Sequence, residues 1–287
     1  MVVDSSSIEV NRRKRRAKTD RIDARKLLGM LMRYHGGERK VWSVVRVPSP
    51  EQEDGRNLGR ELEKLKKERT MHSNRIKGLL IQHGIVIAHP SRLRFLRELG
   101  NARTWDGKKL PDDFKARVER EHQRLELVDE QIRSLKKDRK ERVKTASKPC
   151  FGQVAQLMML KGISPESLWD FVMEFFGWRN FRNRKEVAAL AGLTPTPYDS
   201  GKSLREQGIS KAGNRRIRAL SVEIAWCWLR FQPQSKLSKW FNERFAQGGK
   251  RMRRIGIVAL ARRLLIDLWR YLKQGTVPEG AYIQRAS

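Results

Sequence analysis

The chain has 287 residues, and 63 Lys and Arg against 32 Asp and Glu give it a formal net charge of +31. A hydrophobic fraction of 39%, with 8 Trp and 10 Phe, is enough to bury a core, which excludes a fully disordered chain. The longest apolar run, 255–261, falls far short of the roughly 20 residues a bilayer span needs, which excludes a membrane-spanning protein.

Residues 1–10 alternate weakly and predict one β-strand through Val2, Val3, Ile8 and Val10, which cannot stand alone. A basic run follows: 11–26 carries nine cations and two carboxylates. A helix is expected from Thr19 or Asp20, with Asp23 in its first turn and Leu27, Leu28, Leu31 and Met32 on its apolar face, ending at Gly36-Gly37. A β-like stretch, 40–47, then meets Pro48-Ser49-Pro50, a segment boundary. A long helix is predicted over 51–85. Its seam is Leu58, Leu62, Leu65, Arg69, His72, Ile76 and Leu79, in steps of four and three. A second, over 111–143, has the seam Phe114, Val118, Glu121, Leu125, Val128, Ile132 and Leu135. The two predict an antiparallel coiled-coil arm joined by about 25 residues of loop; the alternative is that each helix pairs with a different chain.

After Ser147-Lys148-Pro149 the composition shifts, and six of the eight tryptophans fall in 150–287. Helices are expected over 151–161, 165–176, 185–191, 214–231, 235–245 and 251–273. The chain is thus read as mainly α, with segments 1–50, 51–148 and 149–287, the last an all-α domain.

The cation surplus points first to polyanions, because neutralising phosphates releases counterions whatever the sequence. An anionic membrane surface or a ribosome-associated role would tolerate the same charge. Basic side chains concentrate at Arg15, Arg16 and Lys18, and at 250–254, KRMRR, which read either as phosphate-facing surfaces or as solvated runs. The turn Lys161-Gly162-Ile163-Ser164-Pro165 resembles a helix-hairpin-helix, whose backbone N–H groups can hold a phosphate; most such turns are only turns. Between Gly192 and Arg216, two prolines and several glycines predict a shaped loop ending at a helix near Asn214. That loop is lined by Lys202, Arg205, Lys211, Arg215 and, on the next turn, Arg218. A serine beside glycine in such a loop, Ser200, is where a hydroxyl attacking phosphorus could sit, or is simply a solvent-facing turn residue. Asp20 and Asp23, three apart on a helix, could share a hard cation such as Mg²⁺, or simply stabilise the helix start. No phosphate-cradling Walker loop, nucleophile elbow or zinc cluster occurs, which argues against an ATPase or ordinary hydrolase.

Three pieces, in order, carry a resemblance: Arg15-Arg16-Ala17-Lys18-Thr19-Asp20-Arg21-Ile22-Asp23-Ala24; the long helical middle; and Gly192-Leu193-Thr194-Pro195 through Ser200-Gly201 to Ile209-Ser210-Lys211-Ala212-Gly213-Asn214. They resemble transposases of the bacterial insertion sequence one-ten group, whose better-studied members are RNA-guided recombinases. The resemblance implies a DNA recombinase working with a guide RNA at the bacterial nucleoid in the cytoplasm, assembled as a homo-oligomer through the arm. It implies that Asp20 and Asp23 are the last two acids of an Asp-Glu-Asp-Asp set holding Mg²⁺ in an RNase H-like α/β domain. It also implies a carboxy-terminal serine nucleophile, Ser200 ahead of Ser210. Family members carry an earlier stretch with the first strands, the first Asp and the Glu. Asp4 and Glu9 do not match that context, so a chain shortened at its amino terminus, with a half-built metal site, is the expectation. The alternative for such a chain is a non-catalytic nucleic-acid-binding fragment.

Overall fold

The computed structural model describes residues 1–9, 19–145, 148–200 and 203–284, with backbone alone at 6, 198–200 and 203–207. The described residues form two compact units, Met1–Glu51 and Gln52–Ser287.

In the first unit, helix α1 spans Asp20–His35. The Thr19 hydroxyl caps it by accepting the Ile22 N–H at 3.4 Å, and Asp20 and Asp23 occupy its first turn. Met30, Val41 and Trp42 form a small core with Val3, Ile8, Leu31 and Tyr34 against it. The leading segment is not the strand expected. It makes a single antiparallel bridge, Val3 to Val44, and turns as a short 3₁₀ helix at Ser5–Ser7. The Ser7 hydroxyl explains the turn: it donates to the Asp4 carbonyl at 2.7 Å and accepts the Ser43 N–H at 2.9 Å, local bonds that compete with a ladder.

In the second unit, α2 (Pro50–Ile81, its first two residues in the first unit) and α4 (Asp112–Thr145) are the two long helices. Their seams face each other within one chain. Leu62 and Leu65 pack with Val128 and Ile132, and Ile76 and Leu79 cluster with Val118 and Leu125. As residue numbers rise on α2 they fall on α4, so the pair runs antiparallel. His72 bonds Glu121 at 2.6 Å across it, and Arg69 reaches out of the seam to Asp129 at 2.7 Å. The connection contains a short helix that periodicity missed, α3 (Phe95–Asn101), buried through Phe95 and Leu99.

The remaining helices are α5 (Pro149–Met158), α6 (Pro165–Phe171), α7 (Arg184–Leu190), α8 (Arg215–Phe231), α9 (Lys236–Phe241) and α10 (Lys250–Gln274), with single π-helical turns over Val172–Phe176 and Asn242–Ala246. Their core is built on Trp169, Phe171, Phe175, Trp228 and Leu264. Trp169 stacks on Phe151 with ring centroids 5.4 Å apart, and Trp228 donates its indole N–H to Ser235 at 2.9 Å. Cys150 and Cys227 are free.

This part is not all-α. β1 (Pro195–Ser200) and β2 (Ser203–Ile209) pair as an antiparallel hairpin. The prolines and glycines of this segment forbid a regular helix and predict a shaped loop, yet each strand of a two-stranded sheet has an outer edge where no N–H is needed, so Pro195 and Pro197 are accommodated in β1. The register slips once, between Pro195 and Pro197, opposite Gly208 at φ +89°. Among the described residues no helix is long and apolar enough to cross a membrane.

Candidate functional site

The hairpin grows from a knot of two chain segments. Ser210 N–H donates to the Thr194 carbonyl at 2.8 Å, and Lys211 N–H to that of Gly192 at 3.2 Å. Asn214 N–H donates to the Leu190 carbonyl at 2.8 Å, while its side-chain oxygen caps α8 by accepting the Arg216 and Ile217 N–H groups. Glycine is required twice. A Cβ on Gly192 (φ +67°) would stand 2.4 Å from Arg218 Nη1, and one on Gly213 (φ +118°) 2.4 Å from the Leu190 carbonyl oxygen. Lys211 is itself left-handed at φ +55°, a conformation costing about 1–3 kcal/mol outside glycine. Arg218 holds it there: its Nη1 donates to the Lys211 carbonyl at 2.9 Å and the Ala191 carbonyl at 3.3 Å.

On this frame the backbone of Ser200 pairs with Ser203 at the hairpin's turn end, whereas Ser210 lies at its base. Lys211 and Arg215 are exposed beside the base. Asn214 and Arg218, expected to touch nucleic acid, spend polar groups on the frame itself. Arg15, Arg16, Lys18 and Lys202 lie outside the described residues, and the side chains of Ser200 and Arg205 do too. Gly162, at φ +95°, is packed so closely that a Cβ would meet that of Phe231 at 2.5 Å. Its turn is tied down by Gln232, fully buried, whose amide donates to the Lys161 and Tyr282 carbonyls.

Asp20 and Asp23 are exposed on the first turn of α1, in the other unit. Two carboxylates are hard oxygen donors that suit a hard cation. Among the described residues, no group of three or more His, Cys, Asp or Glu is placed to hold a metal.

The frame connects to a feature that sequence reasoning did not find. Glu174, in the π turn after α6 and 4% exposed, accepts from Arg60 Nε at 2.9 Å, Arg56 Nε at 3.0 Å and Arg216 Nη1 at 2.9 Å. Arg216, two residues past the Asn214 cap, also reaches Glu63. Burial pushes the Glu174 carboxyl up, but the bond from Arg60 and the charges of Arg56 and Arg60 outweigh it and hold the group below the usual glutamate range. Nearby, Arg139 of α4 donates to Asp170 at 2.9 Å, and Lys66 and Lys136 share Glu166. The start of α8 is thereby tied to α2. The available signal was a pair of carboxylates, Asp170 and Glu174, four apart in the otherwise apolar run from Leu168 to Phe176.

The family description "Transposase IS116/IS110/IS902 family" matches residues 154–239, which contain the π turn, the hairpin and its frame. The chain is 44% identical over 294 residues to the protein designated transposase y4rJ in Sinorhizobium fredii, spanning 99% of this chain and 73% of that one. It is 26% identical to the transposase for insertion sequence element IS1328 of Yersinia enterocolitica, over 77% of this chain and 63% of that one. It is 27% identical to the transposase for IS1111A of Coxiella burnetii, over 92% and 69%. The chain belongs to the IS116/IS110/IS902 family of insertion-sequence transposases.

Proposed function

We propose that the chain is a DNA recombinase of a mobile insertion sequence, binding DNA together with a guide RNA at the bacterial nucleoid and exchanging strands through a serine nucleophile. The observation carrying this reading is the hairpin: an arginine-clamped, glycine-dependent frame with Ser200 at its turn end and cations at its base. The Ser200 hydroxyl oxygen would attack a DNA phosphorus, leaving the strand joined through a phosphoserine ester and releasing a DNA hydroxyl. A hydroxyl from the exchanged strand would reverse the step. Lys202 and Arg205, next to Ser200 in sequence, would balance phosphate charge around it, and Lys211 and Arg215, at the hairpin's base, would meet flanking phosphates. The first unit would be part of an RNase H-like domain in which Asp20 and Asp23 hold Mg²⁺, a cation that neutralises charge on phosphate oxygens when bound. The surplus cations suit RNA as well as DNA. Because the arm's seams are filled within one chain, its outer faces would carry any homo-oligomer.

Strand exchange between element ends and target, measured with the native chain, Ser200→Ala and Ser210→Ala, tests the reading. Ser200→Ala is expected to abolish exchange and the covalent protein–DNA adduct while leaving DNA binding intact. Loss of the adduct in Ser210→Ala alone would move the nucleophile to the hairpin's base. Binding by the native chain without exchange or adduct would leave a non-catalytic binding fragment instead.

A further inference from the structure

We propose that the free end of the helical arm, centred on Trp105, is a stacking site for unpaired bases of a nucleic-acid strand. This rests on the nucleic-acid reading above and names a contact surface for it, far in sequence from the hairpin.

Of the eight tryptophans, Trp105 is the most exposed of those described, at 82%, and no buried role explains it. Its backbone is nevertheless held firmly. Its N–H donates to the His83 carbonyl at 3.0 Å, next to Gly84, where an added Cβ would stand 3.1 Å from the Trp105 Cβ. The turn beyond closes through Gly107 N–H to the Thr104 carbonyl at 2.8 Å and Thr104 Oγ1 to the Lys108 carbonyl at 3.1 Å. A bridge between Arg103 and Lys109 completes it. An indole on so fixed a mount loses little freedom when something stacks on it.

What would stack is set by the surroundings. Residues 82–110 carry six Lys and Arg against two carboxylates. Both carboxylates are already paired, Glu98 with Arg94 at 2.7 Å and Asp106 with Lys108 at 2.9 Å. Among the described residues, Arg92, Arg97, Arg103 and Lys109 are exposed without a carboxylate partner. A second copy of this arm end would bring the same cations together and be repelled. A strand with phosphates between its bases matches both the exposed ring and the cations beside it, as in single-strand binding platforms.

The test measures binding of the full chain to a thymidine oligonucleotide of about 20 nucleotides and to an abasic backbone of equal length and charge. Trp105→Ala, a change at an exposed side chain, is expected to weaken oligonucleotide binding roughly five- to a hundred-fold. Abasic binding should stay the same, and Trp105→Phe should restore most of the difference. Equal losses on both polymers, no loss on either, or a change in sedimentation of the free protein in place of a binding change would overturn the stacking site. A native chain that binds neither polymer would overturn the nucleic-acid reading with it.

Discussion

Two glycines in one helix show how a single Cβ decides what a position can hold. In α2, glycine in a helix interior costs about 1 kcal/mol relative to alanine. At Gly78 nothing lies within 4 Å of an added Cβ, so Gly78→Ala is expected to stabilise the chain by about 0.5–1 kcal/mol. At Gly59 the same atom would stand 2.5 Å from Asp170 Oδ1 and 3.0 Å from Arg139 Nη2. Arg139 is 5% exposed, so it cannot follow a displaced carboxylate into solvent. Gly59→Ala is therefore expected to lower the melting temperature, costing about 1–3 kcal/mol despite the gain in helix propensity. Thermal unfolding of the pair side by side measures both, and a Gly59→Ala chain as stable as Gly78→Ala would show that the ion pair tolerates displacement.

Between elements the decisive contact is the Glu174 carboxylate, which gathers arginines from α2 and α8. Glu174→Gln removes the charge while keeping the shape, and leaves three guanidinium groups around a neutral amide, with Glu53 still on Arg56 and Arg60 and Glu63 still on Arg216. A loss of about 3 kcal/mol at neutral pH is expected, smaller than for a fully sealed pair because Arg60 and Arg216 are partly exposed. The pH sign follows from the direction of the shift. A carboxyl held below its ordinary value contributes stability that is complete above the unfolded-chain pKa of about 4.3 and is lost as pH falls through the lower folded value. Denaturation at pH 7 and at successively lower pH should therefore show the native and Glu174→Gln chains converging in acid. A gap that does not narrow would mean the carboxylate is not the charged centre of the joint. The antiparallel arm was legible because its seams keep one period over seven positions. The Glu174 joint was not, because Arg60 lies 114 residues away and periodicity carries no information about distant partners. Likewise local spacing placed a cap at Thr19 or Asp20, and the structure uses Thr19. The hairpin under Ser200 was not legible, because its prolines report backbone preference and not the pairing partner that overrides it. The seven-residue α3 is too short for a helical period to register, and only the burial of Phe95 and Leu99 fixes it.

Among the described residues several carboxylates each serve more than one cation: Glu174 serves Arg56, Arg60 and Arg216; Glu121 serves Arg75 and Arg124; Glu166 serves Lys66 and Lys136. Even with this sharing, 63 Lys and Arg against 32 Asp and Glu leave cations in solvent, among them Lys250, Arg251, Arg253 and Arg254 at the start of the 25-residue helix α10, which has no acid in its first turn. Cations there oppose the helix dipole, so folding alone gives no reason for them. Neutralising two, as Arg251→Gln with Arg254→Gln, is expected to raise stability by about 0.5–1 kcal/mol at low salt. If these side chains meet phosphates, the same change should weaken DNA or RNA binding and flatten its salt dependence. The slope of log affinity against log salt is about −0.9 per phosphate neutralised on duplex DNA, so losing two contacts reduces it by about 1.8. Affinity titrations across a salt series, paired with thermal unfolding, read the two effects independently. A double variant that gains stability with its slope unchanged would place the phosphate-facing surface elsewhere on the chain, whereas opposite movements in stability and slope would assign part of the +31 to the start of α10.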